Sequence, residues 1–81
     1  MAEPGIIGRR LKAWRLRRGL SQNQLWQRSG VPRPTIVAVE NGNQASISVE
    51  NAIKLADALG ITVDALVRDD VLDAEHAAAI V

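Results

Sequence analysis

The sequence contains no cysteine, phenylalanine or tyrosine, and its only aromatic side chains are Trp14 and Trp26. Disulfides and thiolate zinc sites are therefore excluded, although chains this small commonly use one or the other to supplement the core. No apolar run approaches the roughly 20 residues that cross a bilayer, and we identify no apolar signal segment before the first basic stretch. We expect a soluble, cytoplasmic protein without membrane contact, whose core consists of Leu, Ile, Val and Ala.

Residues that carry catalysis or bind metals are equally scarce. The chain has one histidine, His76, and it contains no HExxH pair, no Ser–His–Asp set and no glycine loop of the kind that cradles phosphate. We interpret His76, which lies in an alanine-rich tail, as a solvated helix residue. The sequence therefore predicts a protein that is not an enzyme and that uses no metal and no cofactor.

The charges are distributed unevenly along a chain that has room for one domain. The net charge is only +1, but residues 1–44 carry eight basic and two acidic side chains, whereas residues 45–81 carry two basic and seven acidic ones. Such an asymmetry favours an anionic partner for the basic half. Ordinary solvated helix faces would give the same counts, so charge alone does not decide between the two interpretations.

Apolar side chains recur at helical spacing through the middle of the chain, and no strand alternation of useful length occurs. The clearest stripe comprises five residues spaced by three, one, three and three: Val49, Ala52, Ile53, Ala56 and Leu59. The pattern predicts an all-α fold, a compact bundle of five short helices over residues 6–68. Residues 1–5 form a flexible lead in this interpretation, and residues 69–81 form a tail that could be a sixth, dimerising helix.

Capping residues predict where the helices begin and end. Ser21 is followed three residues later by Gln24, and this Ser-x-x-Gln capping box opens the second helix. Gly30 and Gly60 are placed to end the second and fourth helices. A tight glycine-containing turn then joins the second helix to the third, which is the helix-turn-helix arrangement.

One set of linked motifs goes beyond a generic helical pattern. The run Gly-Leu-Ser-Gln-x-x-Leu at residues 19–25 is followed by Ser-Gly-Val at 29–31, Thr-Ile at 35–36, Val-Glu-Asn-Gly at 39–42 and Lys-Leu-Ala-Asp-Ala-Leu-Gly-Ile at 54–61. In this order the motifs resemble the Cro and phage-repressor type (XRE-like) helix-turn-helix family, whose fold is the lambda-repressor-like DNA-binding domain. The resemblance spans about residues 6–67.

The resemblance implies a sequence-specific DNA-binding transcriptional regulator with helix 33–41 in the major groove of double-stranded DNA. The positions that it implies for base contacts are Arg33, Pro34, Val37 and Ala38. Those implied for phosphate contacts are Gln22, Thr35, Asn41, Gly42 and Asn43, and we add Arg17 and Arg18 as auxiliary candidates. Arg15 and Glu40 stand where the family commonly has a structural ion pair.

The third helix departs from the family pattern. Val37 and Ala38 offer only apolar contact, so we expect modest direct readout or reliance on DNA shape, unless these residues face another protein or solvent. Pro34 disfavours α geometry at the residue before it. We therefore place the start of this helix at Pro34, with Arg33 just outside it and able to swing toward a base or phosphate.

The two tryptophans receive different interpretations. Trp14 lies on the apolar stripe of the first helix, and we assign it to the core. Trp26 stands where the family has a small residue. It could pack over Pro32 or Pro34, form part of a dimer or partner surface, or stack on nucleic acid.

A homodimer on a palindromic operator is expected, because one short helix reads few base pairs and half-sites in this class lie roughly 34 Å apart. Repression is the default outcome that the resemblance implies. The predicted dimer interface consists of apolar residues of the acidic half: Val63, Leu66, Val67, Val71, Leu72, Ile80 and Val81. The alternative is a protein-interaction module on the same fold, such as an antitoxin-like partner protein.

Overall fold

Five α-helices joined by turns and loops make up residues 6–67, the part of the chain that this computed structural model describes. In chain order they are α1 (Ile6–Arg17), α2 (Gln22–Ser29), α3 (Arg33–Glu40), α4 (Val49–Leu59) and α5 (Val63–Val67). No strand occurs between residues 6 and 67, so the all-α class and the five-helix bundle are confirmed. The predicted lead and the tail with its sixth helix lie outside the described residues.

Local hydrogen bonds determine the ends of α2. The Ser21 hydroxyl accepts from the Gln24 N–H at 3.0 Å, and the Gln24 carbonyl oxygen Oε1 accepts from the Ser21 N–H at 2.8 Å, so the capping box is confirmed. Gly30 ends the helix with a φ of 76°, in the left-handed region that a Cβ disfavours. The beginning and end of α2 are therefore encoded within its own segment.

The core is formed by side chains from all five helices around Trp14. Trp14 is only 2% exposed, and its indole Nε1 donates to the Ala65 carbonyl at 3.1 Å, which satisfies the buried N–H. Its assignment to the core is confirmed. Each helix also contributes a leucine or isoleucine with no exposed surface: Leu11, Leu25, Ile36, Leu55 and Leu66.

The apolar stripe predicted for α4 is partly wrong. Val49 is 76% exposed and Ile53 is 46% exposed, so both lie on the outer side of the helix. The buried face consists instead of four residues packed toward α2 and α5: Ala52, Leu55, Ala56 and Leu59. The error arises because two helical stripes overlap in this apolar segment, and only packing against the neighbouring helices decides which one is buried.

The structure bears on one described residue of the predicted dimer interface. Leu66 is 0% exposed within one protomer and offers no surface to a second subunit, so its assignment to the interface is wrong. Val63 and Val67 are half-buried. The other four predicted residues lie outside the described part of the chain: Val71, Leu72, Ile80 and Val81. None of the helices within residues 6–67 is long and apolar enough to cross a membrane.

Candidate nucleic-acid interface

A three-residue turn joins α2 to α3 and sets how the two helices lie against each other. The Gly30 N–H donates to the Trp26 carbonyl at 2.9 Å, and the Val31 N–H donates to the Ser29 hydroxyl at 3.0 Å. Val31 itself is completely buried, which anchors the turn in the core. The turn is thus held by one backbone hydrogen bond, one hydrogen bond to a side chain and one apolar anchor.

Helix α3 begins at Arg33, one residue before the predicted start. Pro32 is the N-cap, with φ −54° and ψ 136°, and its carbonyl accepts from the N–H groups of Thr35 at 3.0 Å and Ile36 at 3.2 Å. Pro34 is tolerated at the second helical position because an N–H there has no partner within the helix. The prediction that Arg33 lies outside the helix is wrong, since the hydrogen bonds to Pro32 close the first turn around it.

The two sides of α3 have different environments. Ile36, Val39 and Glu40 are buried in the protein. The four residues predicted to contact bases share the opposite side at spacings of one, four and five, and their side chains are exposed or half-buried: Arg33, Pro34, Val37 and Ala38. This outer side is apolar apart from Arg33, so its capacity for hydrogen bonds to bases is concentrated at one residue.

The residues that follow α3 form a compact polar turn. Asn41 is the C-cap, and its side-chain Oδ1 accepts from the Asn43 N–H at 3.0 Å. Between them Gly42 has a φ of 86°. Asn41 and Asn43 are exposed, so the three residues predicted as a phosphate clamp present one polar surface at the end of α3.

Arg15 and Glu40 form the ion pair that the resemblance implies. Arg15 Nε donates to Glu40 Oε2 at 2.7 Å and Nη2 donates to Oε1 at 2.9 Å, a two-point contact between α1 and the last residue of α3. The remaining guanidinium nitrogen, Nη1, donates to the Leu20 carbonyl at 2.8 Å. Both side chains are buried, so this pair fixes how α3 is presented by the rest of the bundle.

Gln22 lies beside this ion pair, a contact that sequence reasoning missed. Its Nε2 donates to Glu40 Oε1 at 3.2 Å, which brings the first residue of α2 next to the last residue of α3. Since Asn41 follows Glu40 directly, Gln22 lies close to the turn at residues 41–43 at this corner of the bundle. No spacing rule predicts the contact, because 18 residues separate its two partners.

Arg17 and Arg18, the auxiliary phosphate candidates, both lie against Trp14. Their guanidinium carbons are 4.9 and 5.3 Å from a Trp14 ring centroid, which is cation–π distance. Arg18 Nε also donates to the Leu59 carbonyl at 2.8 Å and so joins α1 to the end of α4. The structure shows this packing role, and the phosphate role of the two arginines stays a prediction.

Trp26, in α2, is a large apolar side chain that lies outside the core. It is 43% exposed, and it is absent from the buried cluster formed by Leu25, Val31 and Ile36. A tryptophan with this much exposed surface could meet either DNA or another protein chain. The three interpretations offered from sequence therefore stay open for this residue.

Comparisons with known proteins agree on one family. The helix-turn-helix family profile matches residues 11–66. The restriction-modification controller protein C.AhdI from Aeromonas hydrophila is 40% identical, with a TM-score of 0.69 over 74% of this chain and 89% of that chain. The N-terminal DNA-binding domain of SinR from Bacillus subtilis is 26% identical, with a TM-score of 0.76 over 79% of this chain and 93% of that one.

A third similar structure is SinR, described as the master regulator for biofilm formation, in complex with DNA. It is 28% identical, with a TM-score of 0.72 over 74% of this chain and 95% of that chain. No curated protein sequence matches the chain. The family match over residues 11–66 includes α2 and α3, the helices that carry most of the predicted base and phosphate contacts.

Proposed function

The chain belongs to the XRE-type helix-turn-helix family, and we propose on this basis that it is a sequence-specific DNA-binding transcriptional regulator. The observation that carries the proposal is the outer side of α3, where Arg33 is exposed and Val37 and Ala38 are half-buried. The similar proteins add support, since one is a controller protein and another is described in complex with DNA. Binding to the chromosome would place the protein in the cytoplasm, as the sequence predicts.

In the proposed complex α3 lies in the major groove. Arg33 has the reach and the paired donors to contact the O6 and N7 atoms of guanine, whereas Val37 and Ala38 can contact thymine methyl groups. Gln22 and Thr35, with the turn at residues 41–43, contact phosphates and set the register of the helix in the groove. Because only Arg33 offers hydrogen bonds to bases, DNA shape contributes to the choice of site.

We further propose that the regulator is a homodimer that represses transcription from a palindromic operator. Exposed apolar side chains on the acidic half of the molecule support self-association: Val49 and Ile53 of α4, together with the half-buried Val63 and Val67 of α5. A two-fold dimer on this side would direct both copies of α3 toward one face of the DNA. Occupation of a promoter by the dimer would block the polymerase.

A protein-interaction module is the second candidate, because Trp26, Pro34 and Val37 supply apolar surface close to the turn between α2 and α3. Such a module would bind a protein partner, as an antitoxin binds its toxin, and would have no affinity for duplex DNA. The two functions differ sharply in their response to salt, since phosphate contacts release counterions and protein contacts of this apolar type do not.

The discriminating experiment measures binding of the full chain to a random duplex over a range of salt concentrations. We expect log affinity to fall linearly with log salt, by about 0.9 for each phosphate contact. Selection from a random DNA pool should then yield an inverted repeat whose half-sites are roughly 34 Å apart. A flat salt response, or no binding at about 50 mM salt, would contradict the DNA-binding proposal and favour the second candidate.

A further inference from the structure

Side chains from three helices meet at the carboxylate of Glu40. Arg15 of α1 makes the two-point contact described above, and Gln22 of α2 donates from Nε2 to Oε1. The Glu40 side chain is only 4% exposed, whereas Gln22 is half-buried and reaches the surface. The buried ion pair is therefore connected, through one hydrogen bond, to a side chain that can meet a ligand.

The chemistry of Glu40 determines which way the Gln22 amide faces. An ionised carboxylate only accepts hydrogen bonds, so the NH₂ group of Gln22 must face it and the carbonyl oxygen must face away. One of the two N–H bonds of this group is used by Glu40. Within residues 6–67 the Gln22 amide has no second hydrogen-bond partner, which leaves the other N–H available to an acceptor at the surface.

We propose that Glu40 is a positioning residue for DNA binding, which holds the Gln22 amide so that its second N–H meets a phosphate oxygen of the DNA backbone. Arg15 balances the charge of Glu40, so a phosphate can approach this corner without net repulsion. Because the amide is oriented before DNA arrives, less side-chain freedom is lost on binding. This inference rests on the proposed function, in which Gln22 is a phosphate contact.

A double-mutant cycle on the full chain tests the connection. Arg15→Met/Glu40→Leu replaces the buried pair by apolar side chains, a type of change that commonly preserves folding, and it leaves the net charge unchanged. Fluorescence anisotropy on one labelled duplex at fixed salt measures DNA binding by four proteins: the wild type, Arg15→Met/Glu40→Leu, Gln22→Ala, and the variant that carries all three substitutions. Thermal unfolding monitors folding, and Gln27→Ala, at an exposed glutamine of the same helix, is the matched control.

In the wild-type background the apolar pair should weaken DNA binding roughly three- to tenfold, the cost of orienting one side chain on binding. In the Gln22→Ala background the same apolar pair should weaken DNA binding by less than about twofold, because no amide is left to orient. An equal loss in both backgrounds, or none in the first, overturns the positioning role alone. A folded wild type that binds no duplex contradicts the proposed function and the positioning role together.

Nuclear magnetic resonance of the wild type gives a readout that requires no variant to fold. The Nε2 proton of Gln22 that faces Glu40 should lie downfield of the same proton in a solvated glutamine, and it should exchange slowly with water. Addition of the duplex should then move mainly the other proton. Two protons at the shifts of a solvated glutamine, both exchanging rapidly with water, would overturn the proposal.

Discussion

At the residue scale, the buried ion pair connects α1 to the last residue of α3. Arg15 donates two short hydrogen bonds to Glu40 in the interior, and each residue would be an unpaired buried charge without the other. The same carboxylate contacts Gln22 and directly precedes the turn at residues 41–43. One side chain thus connects the stability of the bundle to the geometry of the proposed DNA-binding corner.

Arg15→Ala should lower the free energy of unfolding by about 3–5 kcal/mol, because Glu40 would remain buried and charged without its partner. Urea denaturation followed by circular dichroism measures the change. Arg9→Ala, which truncates an exposed arginine of the same helix, should stay within about 0.5 kcal/mol of the wild type. A loss below 1 kcal/mol for Arg15→Ala, on the order of a surface pair, would contradict a stabilising role for the buried pair.

Arg33→Ala should reduce discrimination at one base pair of each half-site by about 1–3 kcal/mol, since Arg33 supplies the hydrogen-bonding reach on the outer side of α3. Binding to the selected operator and to single-base variants of it measures this loss. Gln22→Ala is the comparison, and it should weaken binding to all these duplexes by a similar factor. If the two substitutions show the opposite pattern, the assigned roles are wrong.

At the element scale, α2 and the start of α5 are capped by contacts within their own segments, whereas the bundle is assembled through contacts between distant segments. The capping box of α2 and the Thr62 hydroxyl, which accepts from the Ala65 N–H at 3.0 Å, act over three residues. By contrast, the hydrogen bond from Arg18 to the Leu59 carbonyl joins two residues that are 41 positions apart in the sequence. The turn between α2 and α3 depends on both kinds of contact.

Gly30→Ala should destabilise the protein by about 1–2 kcal/mol, because the φ of 76° is unfavourable for any residue with a Cβ. A Cβ at this position would meet no atom within 4 Å, so the cost is conformational and not steric. Gly30→Asn should cost less, since asparagine tolerates the left-handed region better. Thermal and urea unfolding measure both, and equal losses for the two variants would indicate a different cause.

At the scale of the whole molecule, the charges are distributed unevenly between the two halves of the chain. The basic half includes α1, α2 and α3, while α4 and α5 carry three acidic residues against Lys54. Val49 and Ile53 are exposed on this acidic half. Under the proposed function, this distribution favours DNA contact by the basic half and a second subunit on the acidic half, because acidic side chains close to DNA would repel its phosphates.

Ile53→Asp should shift the protein toward the monomer and lower affinity for the full operator by about 100-fold or more, as two linked half-site contacts become one. Sedimentation equilibrium measures the oligomeric state, and binding to an isolated half-site should change little. Lys54→Ala, beside it on the exposed side of α4, is the matched control, since its ion pair with Glu50 is exposed and weak. A dimer that persists in Ile53→Asp would contradict this interface.

The sequence by itself determined the class of fold, the helix caps and the family. These features depend on side chains three or four residues apart, whose interactions are the same in any helical protein. The motifs at residues 19–25 and 54–61 also sufficed to indicate the family that the profile match and the similar structures show. The sequence places the start of α3 one residue too late. Pro34 disfavours α geometry at Arg33, but the hydrogen bonds to the Pro32 carbonyl include Arg33 in the first turn.

Only the tertiary structure decided which of two overlapping stripes of α4 is buried, that Leu66 belongs to the core, and that Gln22 reaches Glu40. Each of these facts depends on how helices that are distant in sequence pack together. Intrinsic helix propensity does not predict such contacts, because a helix can present any of its faces to a neighbour at nearly the same local free energy. Burial of the whole core determines which face of each helix points inward. It thereby also determines the geometry of the proposed DNA-binding corner.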